Sequence, residues 1–390
     1  MTKNKKIKIC ALTTISKTMD WFIVDSMRNL SKNGYEVTLI CSMDNNFVNK
    51  NKDFANCIPL QMSRGINIRN LIASIFKLTN IFKREKFDII YYTSPNASMY
   101  ASIAGILSGI KIRIYSQCGL RYVSFTGIKR KIFKLVEKIT CLFSTHIKAQ
   151  SNKNMLYAIN EKLCNSKKIS VVGIGGTTGV SIEECNSFCH KTAKQELREK
   201  LNIPQNSFIY GYVGRINADK GINELITAFN EVCNKFPSTH LVLVGMTDET
   251  NPISDNNMAL AKKHPNIIMT GNVPKNEVYR YMAMFDVLTH PTYREGFGKV
   301  LQEAMGMHIP IITTDVPGPS EVIENNISGI LCRAKDYKDL KEKMLFLYHN
   351  EEIRNSLAEE GYKRAKKYFD RPIMLNNILE DIENIRKEVK

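Results

Sequence analysis

The stretch "SFIYGYVGRINADKGI", residues 207–222, decides the fold. An apolar and aromatic run reads as a buried strand, ends on Gly214, and passes into a short polar loop. The same rhythm continues downstream, where "HLVLVG", "NIIMTG", "DVLTHP" and "IPIITTD" read as strands. It also fills the first half, in "IKICALTTI", "YEVTLIC", "FDIIYYTSP", "KIRIYSQCG" and "THIKAQS", with amphipathic stretches such as "NIRNLIASIFKLTNIFKREK" between them. Strands alternating with helices build a parallel sheet covered on both faces. The expected class is α/β, with two doubly wound Rossmann-like domains.

At 390 residues the chain exceeds one ordinary core. Four glycines between Gly173 and Gly179, in "SVVGIGGTTGVSIEECNSFCHKTAKQ", mark the junction as a hinge. The predicted domains are 1–175 and 176–370, followed by a helix over 371–390 that enters through Pro372 and could pack on either domain. No apolar run is long enough to cross a bilayer, and the basic start reads as a first strand rather than a signal peptide. The expected location is cytoplasmic. The ten cysteines are scattered as buried thiols would be, and the close pair Cys185 and Cys189 lacks partners at zinc-ligand spacing.

The net charge of +17 is unevenly spread. Residues 1–170 hold 28 Lys and Arg against 9 Asp and Glu, whereas the remainder holds 27 against 29. The basic half therefore suits a polyanion or an anionic membrane surface. A solvated, solubilising face is the plainer alternative.

Chemistry belongs in the loops that follow the strands, because open parallel sheets bind ligands at the carboxyl ends of their strands. Arg215 and Lys220 lie five apart on one such loop and can grip phosphates, one as a planar fork and the other as a compact charge. In "YREGFGKVLQEAMGM", helical spacing over Val300, Leu301, Ala304, Met305 and either Met307 or His308 starts a helix near Gly298 or Lys299. Gly296 and Gly298 leave its N-terminus open as an anion seat. Glu295 stands just outside that seat and Glu303 one turn inside it. Carboxylates accept hydrogen bonds from hydroxyls, so two of them beside a phosphate seat fit a nucleotide sugar. A surface turn for Glu295 and an ion pair with Lys299 for Glu303 are the bland alternatives.

With these residues in place, the chain resembles the retaining glycosyltransferases of family four, which have the GT-B fold of two Rossmann-like domains facing an interdomain cleft. The likeness rests on "GRINADKG" (214–221), on 271–321 with its two glutamates eight apart, and on the helical tail. "RIYSQCGLRYVSFTGIKRKIFKLVEKIT" and "VVGIGGTTGV" are similar to a subgroup that builds bacterial capsule and O-antigen. The resemblance implies metal-independent transfer of a hexose or N-acetylhexosamine from a nucleotide-diphosphate sugar, UDP first, to a lipid-linked saccharide, forming an α linkage. It implies that Arg215 and Lys220 meet the diphosphate, Glu303 the ribose, Glu295 the sugar, and Val273 the base. The backbone of Gly296, Phe297, Gly298, Lys299 and Val300 would line the sugar and phosphates. No Asp-x-Asp metal motif occurs.

Relatives often carry a histidine near Gln117 and Cys118, and the loop "TTISKTMDW" lacks a common glycine; Thr14 to Lys17 are expected near the site. Cys118, Arg121, Lys129, Arg130, Lys131 and Lys134 are the expected acceptor-facing or membrane-facing residues, at the inner face of the cytoplasmic membrane. A nucleotide-sugar 2-epimerase of the same architecture and a basic nucleic-acid-binding protein are the competing readings. The first needs acid and base groups where acids are few. The second leaves Glu295 and Glu303 unexplained.

Overall fold

The computed structural model describes residues 6–62, 68–188 and 191–389. Cys189 lies outside them, so the Cys185/Cys189 pair has no structural account. The chain divides into two compact units, Met1–Thr178 with Ile373–Lys390, and Gly179–Pro372.

The first unit holds seven strands, β1 Lys8–Ile15, β2 Glu36–Ser42, β3 Ala55–Pro59, β4 Ile89–Tyr92, β5 Ile112–Gln117, β6 His146–Ala149 and β7 Ile169–Val171. They form one sheet in the order β3-β2-β1-β4-β5-β6-β7, every pairing parallel. In β1, Cys10 and Leu12 face one buried cluster while Ile9 and Ala11 face another. That two-sided burial is why the strand reads as an unbroken apolar run.

The helix Arg371–Val389 completes this unit. Ile378, Ile382 and Ile385 fall at helical spacing and join the cluster of Ile9, Met19, Leu30 and Val37. Polar ties fix its register: Asn29 Nδ2 donates to Leu375 O at 3.2 Å, Lys148 Nζ meets Asp381 at 2.6 Å, and Tyr35 bonds Glu383.

The second unit holds β8 Phe208–Val213, β9 Thr239–Val244, β10 Ile267–Gly271, β11 Val287–His290, β12 Ile311–Thr314 and β13 Ile330–Cys332, in the order β10-β9-β8-β11-β12-β13. Both sheets reverse direction beside their first strand, at β1/β4 and at β8/β11. Those reversals are the switch points at which doubly wound sheets hold ligands.

Three short edge strands, β3, β7 and β13, escape the sequence pattern. The junction contains structure that the glycine run concealed, with helices at Ile182–Ser187 and Lys191–Lys200. "TTISKTMDW" is not a loop, because β1 runs to Ile15 and a helix starts at once at Ser16. Among the described residues no helix is long and apolar enough to cross a membrane.

Candidate functional site

In the second unit the loops after β8 and β11 are zipped together at the switch point. Tyr293 N donates to Asp219 O at 2.8 Å, and the Arg294 guanidinium grips the Asp219 carboxylate at 2.6 and 3.0 Å. Asn217 caps the short turn Ala218–Lys220 by accepting from Lys220 N at 3.1 Å. These bonds deliver Lys220 and Glu295, 75 positions apart, into a direct ion pair. Burial pushes the Glu295 carboxyl up, but the Lys220 ammonium beside it, with a contribution from His290, outweighs that and holds it well below the usual carboxylate range.

Gly298 precedes the helix Lys299–Gly306 in the left-handed region, with φ 97°, and no side chain caps that helix. A side chain there would meet Leu301 at 2.9 Å, so glycine suits both the turn and the space. The helix N-terminus thus opens beside Glu295 with its dipole positive. Glu303 lies one turn along, partly exposed, where its charge reaches Tyr279. Phe297 turns inward against Phe369, ring centroids 5.7 Å apart. Lys299 and Val300 are partly exposed in the first turn. The helix ends at Gly306, so His308 is not on its apolar face; it stacks on Tyr362 instead, with centroids 3.8 Å apart.

Arg215 is placed differently from Lys220. Its side chain is 62% exposed and pairs with Asp248 at 2.8 Å. Hydrogen bonds from Thr250, then from Asn217, and the Arg215 charge hold the Asp248 carboxyl below its usual value. Val273 follows β10 on a separate partly exposed loop. The geometry therefore joins Lys220, Glu295 and the helix start directly, whereas Arg215, on the same loop as Lys220, turns to Asp248, and Val273 stands after β10, two strands along the same sheet.

Sequence reading missed His290, Asp219, Arg294 and Asp248. His290 ends β11 at 2% exposure, stacked parallel to Tyr212 and 3.7 Å from Glu295. A histidine closing an apolar strand carries no local signal that separates it from a core residue.

In the first unit the corresponding point is Thr14, at the end of β1, whose N and hydroxyl both bond Ser94 Oγ after β4, at 3.1 and 2.9 Å. Lys17 instead lies over the Trp21 ring. Gln117 turns away from the strand edge and donates to buried Glu137 at 2.8 Å, as Tyr115 does. Burial raises the Glu137 carboxyl against those bonds. Cys118 is exposed and its thiol meets Gln150 and Thr93, at 2.7 and 3.0 Å.

The helix Gly127–Phe143 departs from the expected basic face. Arg130 and Lys134 turn to Glu161, at 3.8 and 2.6 Å, and lie over Tyr122. The exposed stripe is apolar, formed by Ile128, Ile132, Leu135 and Leu142. Lys131 is exposed next to it, and Lys129 covers Phe125. Arg121 sits in a short 3-10 turn, and its side chain lies outside the described residues.

Two family models match the chain, "Glycosyl transferase 4-like" over residues 8–151 and "Glycosyl transferases group 1" over 193–364. A Staphylococcus aureus capsular polysaccharide biosynthesis glycosyltransferase, CapM, is 30% identical over 98% of this chain and 97% of its own length. An Escherichia coli UDP-Gal:alpha-D-GlcNAc-diphosphoundecaprenol alpha-1,3-galactosyltransferase is 25% identical over 77% of each chain. Among solved structures, Anabaena Alr3699/HepE in complex with UDP and glucose aligns with a TM-score of 0.80, 17% identity, and 97% and 100% coverage. The lipopolysaccharide glycosyltransferase WaaG aligns with a TM-score of 0.70, 16% identity, and 92% and 95% coverage, so these structures share the fold. Matched by both models and along nearly its whole length by CapM, the chain belongs to the group 1 glycosyl transferases and is a glycosyltransferase of the GT-B fold.

Proposed function

We propose that this enzyme transfers a hexose or N-acetylhexosamine, with retention, from a nucleotide-diphosphate sugar to a lipid-linked saccharide in cell-surface polysaccharide synthesis, forming an α linkage. The observation that carries the reading is the Lys220/Glu295 pair beside the open helix start at Gly298. A cation and a dipole end suit a diphosphate, and the adjoining carboxylates Glu295 and Glu303 suit sugar and ribose hydroxyls. The names of the E. coli relative and of the HepE complex support a UDP donor.

Arg215 supplies a second cation. Its exposed pair with Asp248 is worth little, so exchanging the carboxylate for a phosphate costs little. Val273 stands where a loop can meet the base. Charge developing on the leaving diphosphate is then stabilised by groups already in position, the main electrostatic contribution. On this reading the two cations and the helix start serve the diphosphate without a metal ion.

Thermal shift with UDP-, GDP- and TDP-sugars tests the donor. At a hundredfold excess over Kd, a true donor adds about 2.7 kcal/mol, roughly 5–10 °C for a unit of this size. Glu303→Ala should weaken donor binding and Glu295→Ala should mainly lower turnover, its binding loss confined to the sugar's own increment of affinity, with EDTA without effect. Unchanged activity in both variants would refute the site.

For the acceptor side, the apolar stripe of Gly127–Phe143 flanked by Lys129 and Lys131 fits an anionic bilayer, each lysine contributing about 1 kcal/mol. Binding to anionic over neutral liposomes, weakened by salt, is the expected result. Equal binding to both removes the electrostatic part of this reading.

A further inference from the structure

His290 is a buried polar group that the donor site as described does not use. Neither ring nitrogen has a hydrogen-bond partner, although the residue is only 2% exposed. Its ring lies parallel to Tyr212, with an interplanar angle of 8° and centroids 5.6 Å apart, which fixes the plane of the imidazole. Its Nε2 lies 3.7 Å from Glu295 Oε2, a few tenths of an ångström beyond a hydrogen bond. The other Glu295 oxygen accepts from Gly296 N at 3.1 Å.

The groups facing His290 are Tyr212 from β8, Lys220 from the following turn, and Glu295. Burial, and more weakly the Lys220 charge, push the imidazole pKa down against the pull of Glu295, so the ring is neutral at pH 7 and carries one N–H. Lys220 holds Glu295 in a direct ion pair. A diphosphate competes for that ammonium, and a carboxylate that has to share Lys220 would lose part of the orientation that sugar hydroxyls require.

We propose that His290 is a positioning residue which, through Nε2–H, keeps the Glu295 carboxylate aimed at the transferred sugar while Lys220 turns to the diphosphate. It rests on the donor reading above and assigns a cause to the sugar's share of the affinity. Water does not compete for so buried a donor, and the stacked ring closes on Oε2 by a small shift of the Glu295 side chain.

The test compares Kd for UDP with Kd for the UDP-sugar that best stabilises the chain, by calorimetry, in wild type, His290→Phe and His290→Gln. Phenylalanine keeps the stack on Tyr212 and removes the N–H; glutamine supplies an amide N–H at similar reach. His290→Phe should leave UDP affinity within about twofold and cut the preference for UDP-sugar over UDP about tenfold, the worth of one hydrogen bond to a charged group. His290→Gln should recover most of that preference. An intact preference in His290→Phe, or an equal loss for UDP and UDP-sugar, overturns the proposal. Should His290→Phe fail to fold, the imidazole tautomer in wild type decides. Its 15N resonances, assigned by their disappearance in His290→Gln, support the proposal with the proton on Nε2 and overturn it with the proton on Nδ1. A wild-type chain that binds no nucleotide or nucleotide sugar sinks the donor reading itself, an outcome distinct from any of these.

Discussion

Removing Lys220 while keeping Glu295 isolates the electrostatic core of the site. The two side chains are 15% and 27% exposed, so the pair is neither a solvated surface bridge nor fully dry. At an ordinary charge-assisted contact of about 2.8 Å and an effective dielectric of about 20, their attraction is about 6 kcal/mol. Desolvation of both ions offsets more than half of that. We therefore expect Lys220→Met to destabilise the second unit by about 2–3 kcal/mol, below the 3–5 kcal/mol typical when a fully buried pair is broken. Glu295→Gln should cost about 1 kcal/mol, and the double variant no more than Lys220→Met, giving a coupling of at least about 1 kcal/mol. The lone tryptophan, Trp21, belongs to the first unit, so its fluorescence does not follow this transition. Hydrogen exchange of peptides spanning β8 and β11 does. The sign with pH is fixed by the depressed Glu295 carboxyl. The coupling is fully present above the unfolded carboxyl value of about 4.3 and is lost as pH falls from there toward the folded value. Additive single variants, or a coupling that grows on acidification, would refute the reasoning.

Arg215→Ala should change stability by less than about 0.5 kcal/mol, because its pair is exposed, yet lower nucleotide-diphosphate affinity at least tenfold; urea titration and calorimetry check the two. Gly318→Ala places a Cβ 2.8 Å from the carbonyl oxygens of both Glu295 and Gly296 in a backbone with φ 94°. It should cost about 2 kcal/mol or more and weaken UDP-sugar more than UDP, which melting curves with each ligand would show. Ile382→Ala, at a position 1% exposed, should destabilise the first unit by about 2–5 kcal/mol, visible as faster exchange in β1 and β2.

Long two-sided strands were legible because burial on both faces leaves an apolar run, as in β1, β8 and β9. The three-residue strands β7 and β13 were not, since three residues carry no period and β7 runs straight into the glycines at 173–176. The last helix showed its apolar stripe plainly. Nothing local could say that Ile378, Ile382 and Ile385 complete the core of a unit that begins some 370 residues earlier. The same limit hid the ion pairs of Arg130 and Lys134. Helical spacing made them a basic face, and the partner that pairs with both, Glu161, lies beyond the end of their own helix. Of the candidate site, Arg215, Lys220 and Glu295 could be proposed from sequence because each sits in a loop after a strand, and Glu303 because it lies one turn into the helix that follows. His290 was not, because its meaning depends on Tyr212 and Glu295 from other segments.

The two cations of the site differ in what they cost the empty protein, and that difference orders their use. Arg215 is exposed where it rests against Asp248, whose carboxylate keeps hydrogen bonds from Asn217 and Thr250, so the guanidinium can turn to a phosphate at little expense. Lys220 is held over Glu295 by a turn capped through Asn217 and by a loop locked through Asp219 and Arg294, so it cannot leave without exposing a carboxylate to an unfavourable setting. An arriving diphosphate thus captures Arg215 outright and only shares Lys220. Affinity should follow Arg215, while the geometry at the sugar should follow the Lys220/Glu295 pair and whatever keeps Glu295 in place once the ammonium is shared. The folded chain supplies such a group in His290, which is why its loss is expected to be felt by the sugar and not by the nucleotide.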